Sequence, residues 1–167
     1  MPSTDSATWR ELYDQEYPRL LRALRAMGGD RDAAEDAAQE AFVRAHRHGL
    51  ERIVRPAAWL LVVASRELFR ARRHRQREEP LPEREPAGAG SPFEAAAERA
   101  ELLAALRRLP ERQRGIVVAR FYYGFSYEEI ARAFDIKSGT VGATLHQALR
   151  TLREWQLAGR LARGAMR

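Results

Sequence analysis

The 167 residues include no cysteine, which removes disulfides, thiolate catalysis and Cys-based zinc sites from consideration. No apolar run approaches the roughly 20 residues that a membrane-crossing helix needs, and the run from Trp59 to Ala64 falls far short. The N-terminal residues M-P-S-T-D-S-A-T-W lack a positive region followed by an apolar core, so no secretion signal is read there and the expected home is the cytoplasm. Lysine is nearly missing: Lys137 stands alone among 29 lysines and arginines. Coding preference can produce such a bias, so where the charges fall says more than their type. The four histidines, His46, His48, His74 and His146, are scattered. His46 and His48, two residues apart, do not share a helix face and make a poor metal pair. No nucleophile and base pair emerges, so neither enzymatic activity nor a cofactor or metal is expected.

What is present is a soluble globular composition, 45% hydrophobic and 31% charged, in a length that suits one domain or two small ones. The net charge of +6 favours a polyanionic partner. Its distribution is uneven. From Met1 to Glu40 acidic residues outnumber basic ones, whereas Ser65 to Arg77 holds Arg66, Arg70, Arg72, Arg73, Arg75 and Arg77 against Glu67 alone.

Helical spacing dominates throughout. Trp9, Leu12, Tyr13, Tyr17, Leu20, Leu21 and Leu24 keep it, with Pro18 predicting a kink near Tyr17 or two short helices before Gly28 and Gly29. Asp30 is placed to N-cap the next helix, where Ala34, Ala37, Ala38, Ala41, Phe42 and Ala45 allow close packing. Glu35, Asp36, Gln39 and Glu40 surround the rest of that cylinder, which by itself reads as a solvated acidic face. Pro56 suits the first turn of a long helix that is apolar in its first half and cationic in its second. The cationic half fits a nucleic-acid backbone, since each neutralised phosphate releases counterions. A solvated helix end or an interaction tail is the alternative; a membrane-surface helix would need a stronger apolar face.

Residues 78–90 carry Pro80, Pro82, Pro86, Gly88 and Gly90 without periodicity and read as a linker between two all-α parts. Ser91 and Pro92 predict the start of a helix through Leu106, broken at Leu109 and Pro110. The next helix is expected over Glu111 to Tyr123, with Ile116, Val117, Phe121 and Tyr122 as its apolar face and Gly124 as its end. Ser126 and Glu129 make a capping box for a helix bearing Ile130, Ala131 and Phe134. Asp135, Ile136 and Lys137 form a turn, and Ser138 is read as the N-cap of a helix with the stripe Val141, Leu145, Ala148 and Leu152. Two helices on a short turn, with small Ala131 at the crossing, form the pattern of a helix-turn-helix, though any two amphipathic helices of an all-α core could look alike. Beyond Trp155, Gly159 and Gly164 suggest a frayed basic tail.

Taken together, D-A-A-E-D-A-A-Q-E-A-F-V-R-A (Asp32 to Ala45), P-A-A-W-L-L-V-V-A (Pro56 to Ala64), L-R-R-L-P-E-R-Q-R (Leu106 to Arg114) and the Ser126 to Leu152 stretch resemble the extracytoplasmic-function sigma factors of the main bacterial sigma family. The resemblance implies an alternative sigma factor that binds core RNA polymerase and directs initiation at promoters. Its implied layout is region two over 1–77, a linker over 78–91, region four over 92–158 and a basic tail over 159–167. It implies that Glu35, Asp36, Gln39 and Glu40 face the polymerase β′ clamp helices, with the β flap and an anti-sigma factor as further partners and no membrane insertion. Minus-ten contacts would come from Arg66, Arg70, Arg72, Arg73, Arg75 and Arg77. Region four would use Arg112, Arg114, Lys137, Ser138, Thr140, Ala143, Thr144, His146, Gln147 and Arg150 at the minus-thirty-five element. Trp59 could stack on a base, but its place in an apolar run favours core packing.

The sequence also departs from the family pattern. Where A-R-N-x-x-x-D is common, Ala64, Ser65 and Arg66 stand, with Arg70 at the acidic position. Gly142, Ala143, Thr144 and Gln147 replace the usual Lys, Ser, Arg and Arg of the recognition helix. Lost phosphate and guanine contacts should cost affinity, while Gln147 can read adenine and Ala143 or Thr144 a thymine methyl. Two further readings follow: a sigma-like regulator with altered or lost promoter recognition, and a polymerase-independent dimeric helix-turn-helix repressor.

Overall fold

A computed structural model describes the backbone of residues 4–78 and 93–165 and the side chains of residues 8–77 and 99–156. Among the described residues the regular elements are all helical: α1 (Thr4–Ala26), α2 (Arg31–His48), α3 (Pro56–Glu78), α4 (Phe93–Arg108), α5 (Glu111–Phe121), α6 (Tyr127–Phe134) and α7 (Ser138–Ala165). A 3-10 turn, Leu50–Arg52, links α2 to α3. The chain separates into two compact units, Met1–Glu85 and Pro86–Arg167. The linker read over 78–90 falls almost wholly outside the described residues, as do the Ser91 cap and Pro92.

In the first unit α1 runs unbroken through Pro18, so the two-helix alternative falls. Proline removes the bond to the carbonyl four residues back; here Asp14 and Pro18 both lie on the exposed side, where water can take the freed oxygen. α1 ends as its glycines predict: Gly28 N–H bonds the Arg25 carbonyl and Gly29 N–H the Leu24 carbonyl, with Gly28 at φ 100°. Asp30 then caps α2 by accepting from Ala33 N–H at 2.8 Å. The alanines of α2 and Phe42 are buried. With so little side chain between helices, α2 packs against both α1 and α3. α3 contributes Leu60, Leu61, Val62, Ala64, Leu68 and Phe69 to the core. Burying a leucine such as Leu20, Leu24, Leu60 or Leu61 contributes about 1.5–3 kcal/mol, so these side chains set where the polar faces point. Ser65 is buried too, its hydroxyl donating to the Leu61 carbonyl, so it adds no unmet polar group.

In the second unit α5 buries Ile116, Val117, Val118 and Ala119. Its expected apolar face needs correction: Phe121 is 62% exposed and Tyr122 is exposed, whereas Tyr123 is buried. The helix stops at Phe121, two residues earlier than the spacing predicts, and Tyr122 serves as its cap. Tyr123 therefore leaves the helical phase and turns inward. Its N–H bonds the Val118 carbonyl, and Gly124 at φ 73° redirects the chain so that Phe125 N–H meets the Ala119 carbonyl. Gly115 on α5 allows the Phe134 ring of α6 close, since a Cβ there would lie 3.2 Å from that ring. α7 continues past Gly159 and Gly164 to Ala165, so the expected fraying is not seen in the backbone there.

Candidate nucleic-acid interface

Burial of the α2 alanines fixes the rest of that helix. Asp36 and Gln39 are exposed, and Glu35 and Glu40 are half-exposed on the side away from the core. The structure thus gathers the four candidate docking residues on one solvent-facing surface. Two of them are held by ion pairs one turn away: Glu35 accepts from Arg31 Nε at 2.9 Å and Glu40 from Arg44 Nε at 2.7 Å. The hydrogen bond it donates to Glu40 holds the Arg44 guanidinium above its ordinary pKa, outweighing partial desolvation, with the Glu67 carboxylate adding to it.

The cationic half of α3 sorts itself by helical phase. Arg66, Arg70, Arg73 and Arg77 are spaced four, three and four residues apart, which puts them on one stripe, and all four are exposed. Arg72 and Arg75 fall outside it. Arg72 is half-buried, and Arg75 Nη1 reaches back to Asp30 Oδ2 at 3.2 Å. The candidate strand-binding arginines therefore divide into four on one exposed stripe and two outside it, of which Arg75 reaches the α2 cap.

Trp59 is half-buried rather than part of the sealed core, with the His48 ring stacked on it at 5.9 Å. His46 lies instead against Trp9, ring centroids 5.3 Å apart. The two histidines thus serve different aromatic neighbours, as their spacing requires.

The helix-turn-helix is built by local chemistry. The capping box is complete: Ser126 N–H donates to Glu129 Oε2 at 2.7 Å and Glu129 N–H to Ser126 Oγ at 3.2 Å. α6 closes on Asp135, which adopts the left-handed conformation at φ 53°. Ile136 N–H bonds the Ala131 carbonyl at 2.9 Å and Asp135 N–H the Arg132 carbonyl at 3.4 Å. This is a Schellman closure with aspartate where glycine is usual. The next helix starts one residue earlier than expected. Ser138 is its first residue, and the cap is Lys137, whose carbonyl accepts from Thr140 and Val141 N–H.

Val141, Leu145 and Ala148 are buried, and Leu152 is half-buried. That stripe leaves Thr140, Ala143, His146, Gln147 and Arg150 exposed on the outer face, Thr144 half-buried beside them, and Lys137 and Ser138 exposed at the helix start. Arg112 is exposed at the start of α5. Arg114 is not available to a phosphate, which corrects its expected role. It is 3% exposed, and its guanidinium donates to the Leu109 carbonyl at 3.0 Å and to the Arg107 carbonyl. It ties the α4–α5 turn, where Pro110 supplies no N–H.

Sequence reasoning missed Glu67, Asp30 and Arg44 as partners of the charged faces. The spacing of Glu67 and Arg70, three apart on a helix, was the available signal.

Residues 12–78 match the Sigma-70 region 2 family and residues 99–152 the Sigma-70, region 4 family. The chain is similar to the ECF RNA polymerase sigma factor SigL of Mycobacterium tuberculosis, 33% identical over 159 residues and covering 90% of each protein. It is also similar to the RNA polymerase sigma-E factor of Streptomyces avermitilis, 35% identical over 150 residues, 84% of this chain and 83% of that one. Among solved structures, its fold is like that of the sigma factor RpoE in complex with the anti-sigma factor NepR from Bartonella quintana. The TM-score is 0.71 at 23% identity, covering 89% of this chain and 96% of that one. CnrH, solved in complex with the cytosolic domain of CnrY, gives a TM-score of 0.70 at 20% identity, covering 94% and 92%.

Proposed function

This chain belongs to the ECF RNA polymerase sigma factor family and is an alternative sigma factor; from that premise we propose how its residues divide the work. The solvent face of α2, with Glu35, Asp36, Gln39 and Glu40, docks on a basic surface of core polymerase, the β′ clamp helices. The α3 stripe of Arg66, Arg70, Arg73 and Arg77 lies along promoter phosphates at the minus-ten element, with Trp59 at the foot of the same helix and His48, the last residue of α2, stacked on it. The outer face of α7 enters the major groove of the minus-thirty-five element, with Arg112 and Lys137 on its phosphates. An anti-sigma factor is a fitting further partner, since such a complex is known for the similar RpoE.

The observation that carries this division is the separation of charge on the first unit: acids on the open side of α2, arginines in phase on α3. A docking surface and a phosphate-binding surface on one small bundle need opposite signs, and a generic solvated helix pair does not sort them this way. Gln147 offers a bidentate partner for adenine, and Ala143 an apolar contact for a thymine methyl.

The test is capture of core polymerase by the full chain, followed by run-off transcription from its own upstream region. Wild type is expected to capture polymerase and yield a discrete transcript, and E35K/D36K/E40K to lose capture. Capture unaffected by the triple reversal would move the interface elsewhere. Capture without a specific transcript would favour a sigma-like regulator, which the sparsely charged outer face of α7 also suits.

A further inference from the structure

Between the acidic face of α2 and the arginine stripe of α3, four side chains form an unbroken ion-pair chain. Arg44 Nε donates to Glu40 Oε1 at 2.7 Å, and Arg44 Nη2 lies 2.8 Å from Glu67 Oε1. Arg70 Nη2 donates to the other oxygen, Glu67 Oε2, at 2.7 Å. Acid and base alternate from one surface to the other. Glu67 is the hub: its side chain is 13% exposed, against 70% for Arg70. Exposed pairs contribute little by themselves. A carboxylate this far withdrawn from water is less screened, and here two guanidinium groups compete for it. Removing any one of Arg44, Glu67 or Arg70 would interrupt the chain.

We propose that Arg44 is a positioning residue that couples the polymerase-facing carboxylate of Glu40 to the DNA-facing guanidinium of Arg70. The inference rests on the docking role given to Glu40 above. With Glu40 on Arg44, the Arg44 charge is divided between two carboxylates, and Glu67 keeps its hold on Arg70. A cationic partner that takes Glu40 leaves Arg44 wholly to Glu67. Glu67 is then neutralised from one side, and Arg70 is released toward phosphate. The coupling is positive and reciprocal: phosphate on Arg70 raises affinity for the polymerase by the factor by which polymerase raises affinity for phosphate. Partly exposed pairs limit that factor to about two- to fivefold.

The experiment measures binding of the full chain to a labelled duplex of its own upstream region, by anisotropy at fixed low salt. E40Q and E35Q each remove one negative charge from α2, but Glu35 pairs with Arg31 and not with Arg44. E40Q is expected to raise duplex affinity about two- to fivefold more than E35Q. The excess should vanish when E40Q is combined with R44M or with R70A, each double variant being compared with its own single. Equal effects from E40Q and E35Q, or an excess that survives R70A, overturn the proposal. Core polymerase capture supplies a separate readout: added duplex should tighten capture in wild type and not in R44M. Failure of wild type to capture polymerase at all would overturn the docking role of Glu40, while the duplex measurements would still decide whether the ion-pair chain transmits.

Discussion

Along α3 four arginines repeat on one side of the helix, whereas the outer side of α7 between Ser138 and Arg150 carries threonines, an alanine, a histidine, a glutamine and one arginine. Both helices are seated by a buried apolar stripe, so the difference lies wholly in what faces outward. A guanidinium stripe supplies affinity that is long-ranged, insensitive to sequence and steeply dependent on salt. Short polar and methyl-bearing side chains supply base contacts with little grip. Under the proposed division, the first unit holds a nucleic-acid backbone and the second chooses among sequences already held near it.

The largest expected effect is on the holding side. R66A/R70A/R73A/R77A should lower duplex affinity at least about a hundredfold near 50 mM salt and flatten the log-log salt slope by about three. R72A/R75A, outside the stripe, should do much less, and equal losses from the two sets would dissolve the division of α3 into two groups. Next is Arg114: R114A should cost about 2 kcal/mol of stability in a urea melt, since it removes a buried charged donor from two carbonyls. Its neighbour R112A should leave the melt unchanged and lower the salt slope by about one. A stable R114A that binds DNA more weakly would return Arg114 to the interface. On the choosing side, T144R/Q147R should raise duplex affinity about tenfold while narrowing the affinity ratio between specific and random duplexes. The smallest change is G142A, expected to stabilise the chain by about 0.5–1 kcal/mol because glycine inside a helix costs backbone entropy. The added methyl would rest 3.4 Å from the Tyr127 ring, an ordinary contact.

What could be read in the residues beforehand is the chemistry that acts within one turn. The Asp30 cap, the Ser126 and Glu129 box, the Pro56 start and the Val141, Leu145 and Ala148 stripe all depend on neighbours fixed by the chain itself. The misreadings share the opposite property. Arg114 is buried because α5 folds back against the carbonyls of residues 107 and 109, which its own helical phase does not reveal. Phe121 and Tyr122 continue the apolar spacing, but where α5 stops decides that Tyr123 goes inward instead. Pro18 stays inside α1 because its lost bond falls on the wet side, a matter of orientation relative to a core that sequence spacing does not display. The link from Arg44 to Glu67 crosses from α2 to α3 and needs both helices in place.

The Schellman closure at Asp135 has a bearing on how this protein could be diversified. The angle between α6 and α7 is written in backbone hydrogen bonds, in the capping box and in side chains that point inward. None of these uses residues 143, 146 or 147. Those positions behave as type set in a fixed frame: a new combination can be inserted as a block, and the frame will present it at the same depth and tilt. Under the proposed groove contact, retargeting to another promoter becomes a matter of a few outward side chains, with no refolding to negotiate.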